Sequence, residues 1–304
     1  MKFPNKEQNS FDHCYICGSS RTANLYLKKS IVECQDCKFA YYKFLPSKEC
    51  LDQIYANYSR DSYITTSSHQ KILKNMNEIL IKGDFQSVLD IACGECYHLD
   101  ALKELNPNLD LYASEHISAK NNVISKGYKF LNGEFYPETD LKFDLIIFTE
   151  AIEHINDPLD FLLHAYNLLK EGGMIYMTTP CFSSLERRIM NENWGMIIPP
   201  EHVSYFSKSS LDTAMQLTGF KKVYSRSLNI SIFRVIQYIN SQKTSQTSKE
   251  MNANVNNINA QEYSDKAQAM VTSNRIFNLL KEIINVILNW MGLGSSLQAL
   301  YRKN

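Results

Sequence analysis

Three groups of residues carry side chains whose type and spacing suit chemistry. The first is a cysteine set, Cys14-x2-Cys17 followed after sixteen residues by Cys34-x2-Cys37. Each C-x2-C turn presents two thiolates to one ion, and four thiolates close a tetrahedral shell with no place for water. Cys14, Cys17, Cys34 and Cys37 therefore predict a structural Zn2+. The second group is T-E-A-I-E-H, with Glu150, Glu153 and His154. Two carboxylates and an imidazole could hold Mg2+ or a similar ion, with His202 as a fourth ligand; the plainer reading is that they cap and pack the following loop. The third is Glu201-His202 in PPEHVSYF. Histidine has the ordinary pKa of a general base near neutrality, and Glu201 would orient or charge it. The alternative is a hydrogen-bonded loop histidine.

These groups need elements to position them, and the chain is organised around VLDIACGECYHL, Val88 to Leu99. Val88, Leu89 and Ile91 suit a buried parallel strand with Asp90 near its end. Ala92, Cys93, Gly94, Glu95 and Cys96 form a turn whose small side chains let a ligand approach backbone N–H groups, and a helix follows from His98 to Leu105. Strand, glycine-bearing turn and helix N-terminus describe a nucleotide-binding βα unit.

Strands and helices alternate from residue 85 onward. Strands are expected at 109–114, ending at Glu115, and at 128–131, 143–149, 174–179 and 220–228. Helices are expected at 117–126, from Asp157-Pro158 to about Lys170, and at 208–218 behind a Ser207 cap. The pattern is a doubly wound α/β sheet. Upstream, 68–82 reads as a helix. The aromatic-rich stretch 38–60 reads as an apron packing the small cysteine unit onto the main domain, or as the source of a Tyr58 or Tyr63 at the mouth of an active site. Residues 241–268 are polar and linker-like. Residues 275–291 form an apolar helix for packing on the core or on a second copy, with a lid or membrane-surface helix as the alternative. SLQALYR, Ser296 to Arg302, alternates like a strand that returns to the sheet edge.

Composition sets limits. Lys+Arg and Asp+Glu are both 32 in 304 residues, so net charge is zero, which argues against gripping nucleic acid through phosphates. The polar start MKFPNKEQNS shows no apolar signal segment, and no run of eighteen or more apolar residues occurs. Eight cysteines in such a chain point to a reducing cytoplasm and to metal rather than disulfides.

With these motifs in this order the chain resembles a class I S-adenosyl-L-methionine (SAM)-dependent methyltransferase, a Rossmann-like seven-stranded fold. VLDIACGECYHL resembles the family's first motif, with Ala92 and Cys96 in place of two usual glycines. FDLIIFTEAIEHINDP and LLKEGGMIYMTTP resemble its fourth- and fifth-strand motifs. The resemblance implies Asp90, Ala92, Cys93, Gly94, His116, Thr149 and Glu150 around SAM, Glu115 on the ribose hydroxyls, and Asn132 and Glu134 near the adenine. It implies a zinc unit with aromatic connector at 1–60 and a methyltransferase domain at 61–304, with an insertion at about 235–294. The zinc unit ahead of that domain is similar to bacterial sugar C-methyltransferases and related polysaccharide-pathway enzymes, in which a Glu-His pair matching Glu201-His202 supplies the base; YANYSRDSY, with Tyr58 and Tyr63, resembles their Tyr-rich stretch before the core domain. The E-x-x-E-H sequence is similar to that of ubiquinone-pathway O-methyltransferases and small-RNA 2′-O-methyltransferases, which bind a divalent cation there. The expected acceptor is a small molecule such as a nucleotide sugar or glycan precursor, with a quinone-like or lipid-linked acceptor, or a non-catalytic SAM-fold protein, as alternatives. Peripheral membrane contact through 275–291 and a homo-oligomer are further expectations.

Overall fold

The computed structural model describes residues 13–44, 46, 66–230, 232–247, 283–284 and 286–304. Two sheets organise them. The larger has seven strands: β4 (Ser87–Ile91), β5 (Asp110–Glu115), β6 (Lys129–Asn132), β7 (Phe143–Thr149), β8 (Leu169–Pro180), β10 (Phe220–Leu228) and β11 (Ser296–Lys303). Their order is β10-β11-β8-β7-β4-β5-β6. β8, β7, β4, β5 and β6 run parallel to one another, while β11 is antiparallel to both β10 and β8. The smaller sheet holds β1 (Thr22–Tyr26), β2 (Ile31–Cys34), β3 (Ala40–Tyr42) and β9 (Ser204–Tyr205) in that order.

Alternation along the central strands decides which layer each residue serves. Val88, Leu145 and Ile147 point into one cluster with Met76 and Ile79 of α1 (Thr66–Leu80) and Leu99 and Leu102 of α2 (Tyr97–Leu105). Leu89, Ile146 and Phe148 point into the other, with Phe161 and Leu162 of α4 (Pro158–Leu168) and Leu211 and Ala214 of α6 (Lys208–Leu217). Both faces are covered, so the strands read as continuous apolar runs. Local signals set the helix starts. Asp157 accepts the Asp160 amide with Pro158 in the first turn, and Ser207 and Ser210 form a capping box.

Several expectations shift. The helix after Pro158 ends at Leu168, and the glycine pair at 172–173 already lies in β8. The 117–126 segment divides into a 3-10 turn at Ile117–Ala119 and α3 (Lys120–Ser125). β11 lies inside the sheet, not at its edge. Entering antiparallel lets it pair on both sides and removes two exposed strand edges. The cysteine unit and the main domain share one buried cluster, in which Cys14, Ile16, Phe39 and Tyr41 meet Phe206 and Leu211. β9 comes from the PPEHVSYF segment and pairs with β3. Tyr58 and Tyr63 lie outside the described residues, as do residues 275–282. Among the described residues no helix is long and apolar enough to cross a membrane.

Candidate functional site

The site has two parts, both at the carboxyl ends of the parallel strands, where open α/β sheets bind ligands. The first is the turn after β4. Ala92, Gly94 and Cys96 have φ of 54°, 52° and 61°. A side chain at Gly94 would meet nothing within 4 Å, so this glycine serves backbone conformation rather than packing. The amides of this turn bond within the protein. Cys93 N–H donates to the Ser114 carbonyl at 3.1 Å and Cys96 N–H to the Cys93 carbonyl at 2.9 Å. Glu115, the last residue of β5, accepts the Gly94 amide on Oε2 at 2.8 Å and the His116 amide on Oε1 at 3.0 Å. Asp90 is 1% exposed, and both its carboxylate oxygens lack a partner among the described residues. Burial first, and the Glu115 charge second, hold its pKa well above the ordinary carboxylate range. An orphaned buried acid beside this turn suits a ligand that carries hydrogen-bond donors. The β6 end closes this edge. Gly133 turns at φ 101°, where a Cβ would strike the Tyr136 carbonyl, and Ser114 Oγ donates to the Glu134 carbonyl at 3.1 Å. Asn132 is exposed, and the His116 ring contacts Ser118, away from the turn.

The second part follows β7. Thr149 ends the strand and Glu150 takes φ 50°, an uncommon conformation for a residue with a Cβ. Its carboxylate accepts the Thr178 hydroxyl at 2.9 Å. A 3-10 turn, Ile152–His154, brings Glu153 inside, where it is 2% exposed and accepts the Thr179 hydroxyl at 2.9 Å. His202 arrives from the segment before β9. The two imidazoles meet edge to face with centroids 4.8 Å apart, and ligand atoms of Glu153, His154 and His202 all lie within 4.8 Å of one another. Glu150 stands beside this cluster rather than in it.

The tautomers follow from the partners. His154 Nδ1 faces the Glu201 carbonyl at 3.0 Å, and His202 Nδ1 faces the Met196 carbonyl at 2.9 Å. A carbonyl only accepts, so each Nδ1 carries the proton and each Nε2 keeps its lone pair. Burial pushes the His202 pKa down to about 4, with the His154 charge as the second cause, and burial lowers His154 too. Burial and the neighbouring Glu150 hold the Glu153 carboxyl well above its ordinary range.

Glu201 does not orient His202. Its carboxylate has no hydrogen-bond partner among the described residues, and the Met196 carbonyl holds the ring instead. Burial and the Met196 carbonyl, rather than a paired carboxylate, set the state of the His202 ring. Thr178, Thr179 and the Met196 carbonyl were not legible as site groups. The paired threonines of MIYMTTP were the available signal, since they sit where β8 runs beside the end of β7.

The four thiols also come together. Cys14 and Cys37 sulfurs are 3.5 Å apart, and Cys17 and Cys34 sulfurs 3.6 Å. Zn–S bonds of about 2.3 Å give tetrahedral edges of about 3.8 Å, so the cluster has the size of a zinc shell made of four thiolates. This unit braces the second part of the site. Tyr42 N–H donates to the Val203 carbonyl at 2.9 Å, and the Tyr15 hydroxyl donates to the same carbonyl at 3.4 Å.

The family model described as a methyltransferase domain matches residues 64–225, just over half the chain. The chain belongs to this methyltransferase family. SAM is its methyl donor, and the sheet topology is the family's Rossmann-like arrangement. Among curated relatives, the methyltransferase is 28% identical over 191 residues to a malonyl-[acyl-carrier protein] O-methyltransferase of Marinomonas sp., covering 59% of this chain and 68% of that one. It is 28% identical over 186 residues to a mitochondrial ubiquinone biosynthesis O-methyltransferase of Dictyostelium discoideum, covering 50% of this chain and 56% of the relative. Among solved structures, a SAM-dependent methyltransferase from Archaeoglobus fulgidus superimposes with a TM-score of 0.49 at 13% identity, covering 84% of this chain and 100% of that one.

Proposed function

We propose that this methyltransferase moves the SAM methyl group to an oxygen of a small acceptor, with a divalent cation held by Glu153, His154 and His202 and with Glu150 beside it. The observation that carries the reading is the disposition of the two histidines. Both Nδ1–H groups are spent on backbone carbonyls, both rings are kept neutral, and both Nε2 lone pairs converge with a buried carboxylate. That is how metal-ligating histidines are oriented. A cation there would supply Lewis acidity, holding an acceptor hydroxyl and lowering its pKa. Glu153 and Glu150 would carry the balancing negative charge.

The cofactor edge is assigned in the same reading. SAM supplies a methyl group activated by its sulfonium. Glu115 accepts the ribose hydroxyls, Asp90 and the turn Ala92–Cys93–Gly94 face the methionine end, His116 flanks the ribose, and Asn132 and Glu134 border the adenine, with Thr149 at the floor. These residues orient the donor for in-line transfer, which itself supplies much of the acceleration. The four cysteines hold a structural Zn2+ that keeps the segment carrying His202 in place.

A cleft of about 440 Å3 supports a small acceptor. It opens between α5 (Leu185–Met190) and α7 (Ile232–Thr247), and Asn193, Trp194, Met196, Arg234, Gln237 and Tyr238 line it. Aromatic faces with amides and a guanidinium suit a sugar-containing acceptor, and Met196 is the residue whose carbonyl holds His202. A lipid-linked acceptor is the second reading. Its support is the exposed apolar surface of Val286 and Trp290, 69% and 87% accessible.

The experiment is an assay of labelled SAM with panels of nucleotide sugars and hydroquinones, using protein treated with chelator and then supplied with Mg2+ or Mn2+. Activity lost on chelation and restored by the cation is expected. Full indifference to chelator, with zinc still in place, overturns the cation reading. Flotation with anionic vesicles tests the second reading.

A further inference from the structure

Two cysteines of the SAM turn face each other and take no part in the zinc set or the histidine cluster. Cys93 and Cys96 sulfurs are 3.4 Å apart. The Cys96 N–H to Cys93 carbonyl bond closes a turn between them at 2.9 Å. A turn of that kind holds its end Cα atoms within about 7 Å, and a disulfide spans about 4.4–6.8 Å. The pair is C-x2-C, Cys93-Gly94-Glu95-Cys96, at the start of α2. The other described cysteine of the main domain, Cys181, contacts Ser183 and the Gly292 carbonyl instead.

We propose that Cys93 and Cys96 form a reversible disulfide, a covalent modification site that weakens SAM binding. The inference rests on reading this turn as the SAM site. The oxidant is a low-molecular-weight disulfide. Two S–H bonds break and one S–S bond forms. The two protons and two electrons pass to the oxidant, whose own S–S bond opens to two thiols.

The coupling is geometric. Shrinking the sulfur separation from 3.4 Å to about 2.05 Å pulls the two ends of the turn together around Gly94. Gly94 N–H holds the Glu115 carboxylate at 2.8 Å, so a contracted turn displaces the acid assigned to the ribose. The thiols are well covered, Cys93 8% and Cys96 0% exposed, so oxidant reaches them only when the turn opens. SAM closes the turn, and by linkage whatever the disulfide takes from SAM affinity, SAM takes from disulfide formation.

The test uses the full chain with its zinc retained. Samples are incubated with oxidised glutathione or with dithiothreitol, free thiols are alkylated, and tryptic peptides are weighed while SAM is titrated by calorimetry. Cleavage after Lys82 and Lys103 yields one peptide carrying both cysteines and no others. That peptide should become unalkylated and two hydrogens lighter after oxidation. SAM affinity should fall about tenfold and return with dithiothreitol. In Cys96→Ser the ratio of affinities before and after oxidant should be one, and saturating SAM should slow disulfide formation in the natural chain. Two free or singly glutathionylated cysteines on that peptide after oxidation overturn the inference, as does a disulfide with unchanged SAM affinity. Absence of SAM binding in the reduced protein overturns the cofactor reading itself.

Discussion

The cofactor edge and the histidine cluster are built in opposite ways. The edge is local. Asp90, the 92–96 turn, Glu115 and the Gly133 turn come from three consecutive strands, and the key bonds are backbone amides to one carboxylate. The histidine cluster is assembled from a distance. Glu153 and His154 follow β7, Thr179 lies one residue before the end of β8, and His202 is positioned by Met196 and by a segment that pairs with the cysteine unit. A donor common to a whole family is served by geometry that the sheet itself dictates. Acceptor chemistry is left to loops and an added unit, which can vary without disturbing the sheet.

That contrast can be broken by experiment. The largest effect concerns acid stability. The folded His202 pKa is about 4, against about 6.5 when unfolded. As pH falls from about 7 to 4, the unfolded chain takes up a proton that the folded one refuses. The metal-free protein should lose about 3 kcal/mol more than His202→Gln over that range, read by denaturant unfolding. Equal losses would mean that the ring is solvated. The raised Glu153 pKa acts with the opposite sign, costing stability as pH rises above the ordinary carboxylate range. Cation binding needs Glu153 ionised and both rings neutral, so the Tm gain from Mn2+ should be larger at pH 8 than at pH 6.

The next effect belongs to the edge. Glu115→Ala removes the acceptor of two backbone amides and, in the proposed reading, of the ribose hydroxyls. SAM affinity should fall about 100-fold by calorimetry, while the Mn2+-induced Tm gain survives. Loss of both would show that the two parts are not independent. In the cluster, Glu153→Gln should cost about 10- to 100-fold in turnover with SAM affinity within about a factor of two. Cys34→Ser, which breaks the proposed zinc shell, should act on the same side of the contrast. About a tenfold loss of turnover is expected, with SAM binding kept, because the β3–β9 pairing positions the His202 segment. The smallest effect is Ala92→Gly. A left-handed residue is relieved of its Cβ at the cost of a looser unfolded chain, so Tm should move by no more than a few degrees, about 1 kcal/mol.

Much of this molecule was legible in one dimension. The parallel strands are apolar runs because both sheet faces are covered. Asp157-Pro158 and Ser207 announce helix starts through bonds within a single turn. C-x2-C pairs gather four thiols, and Glu115 is placed by the end of its strand. These are short-range consequences of residue type, and the sequence by itself determined them along with the fold class. Other features depended on which distant segments meet. β11, whose sequence resembles the family's last, antiparallel strand, took its place between β10 and β8 rather than at an edge. The cysteine unit gained a fourth strand from PPEHVSYF. His202 took its orientation from the Met196 carbonyl rather than from adjacent Glu201, and it settled beside His154 in surroundings that lower its pKa. Neighbours in sequence do not decide which carbonyl a buried ring reaches or how much water remains around it. Packing decides both, so only the tertiary structure set the surroundings and partners of His202.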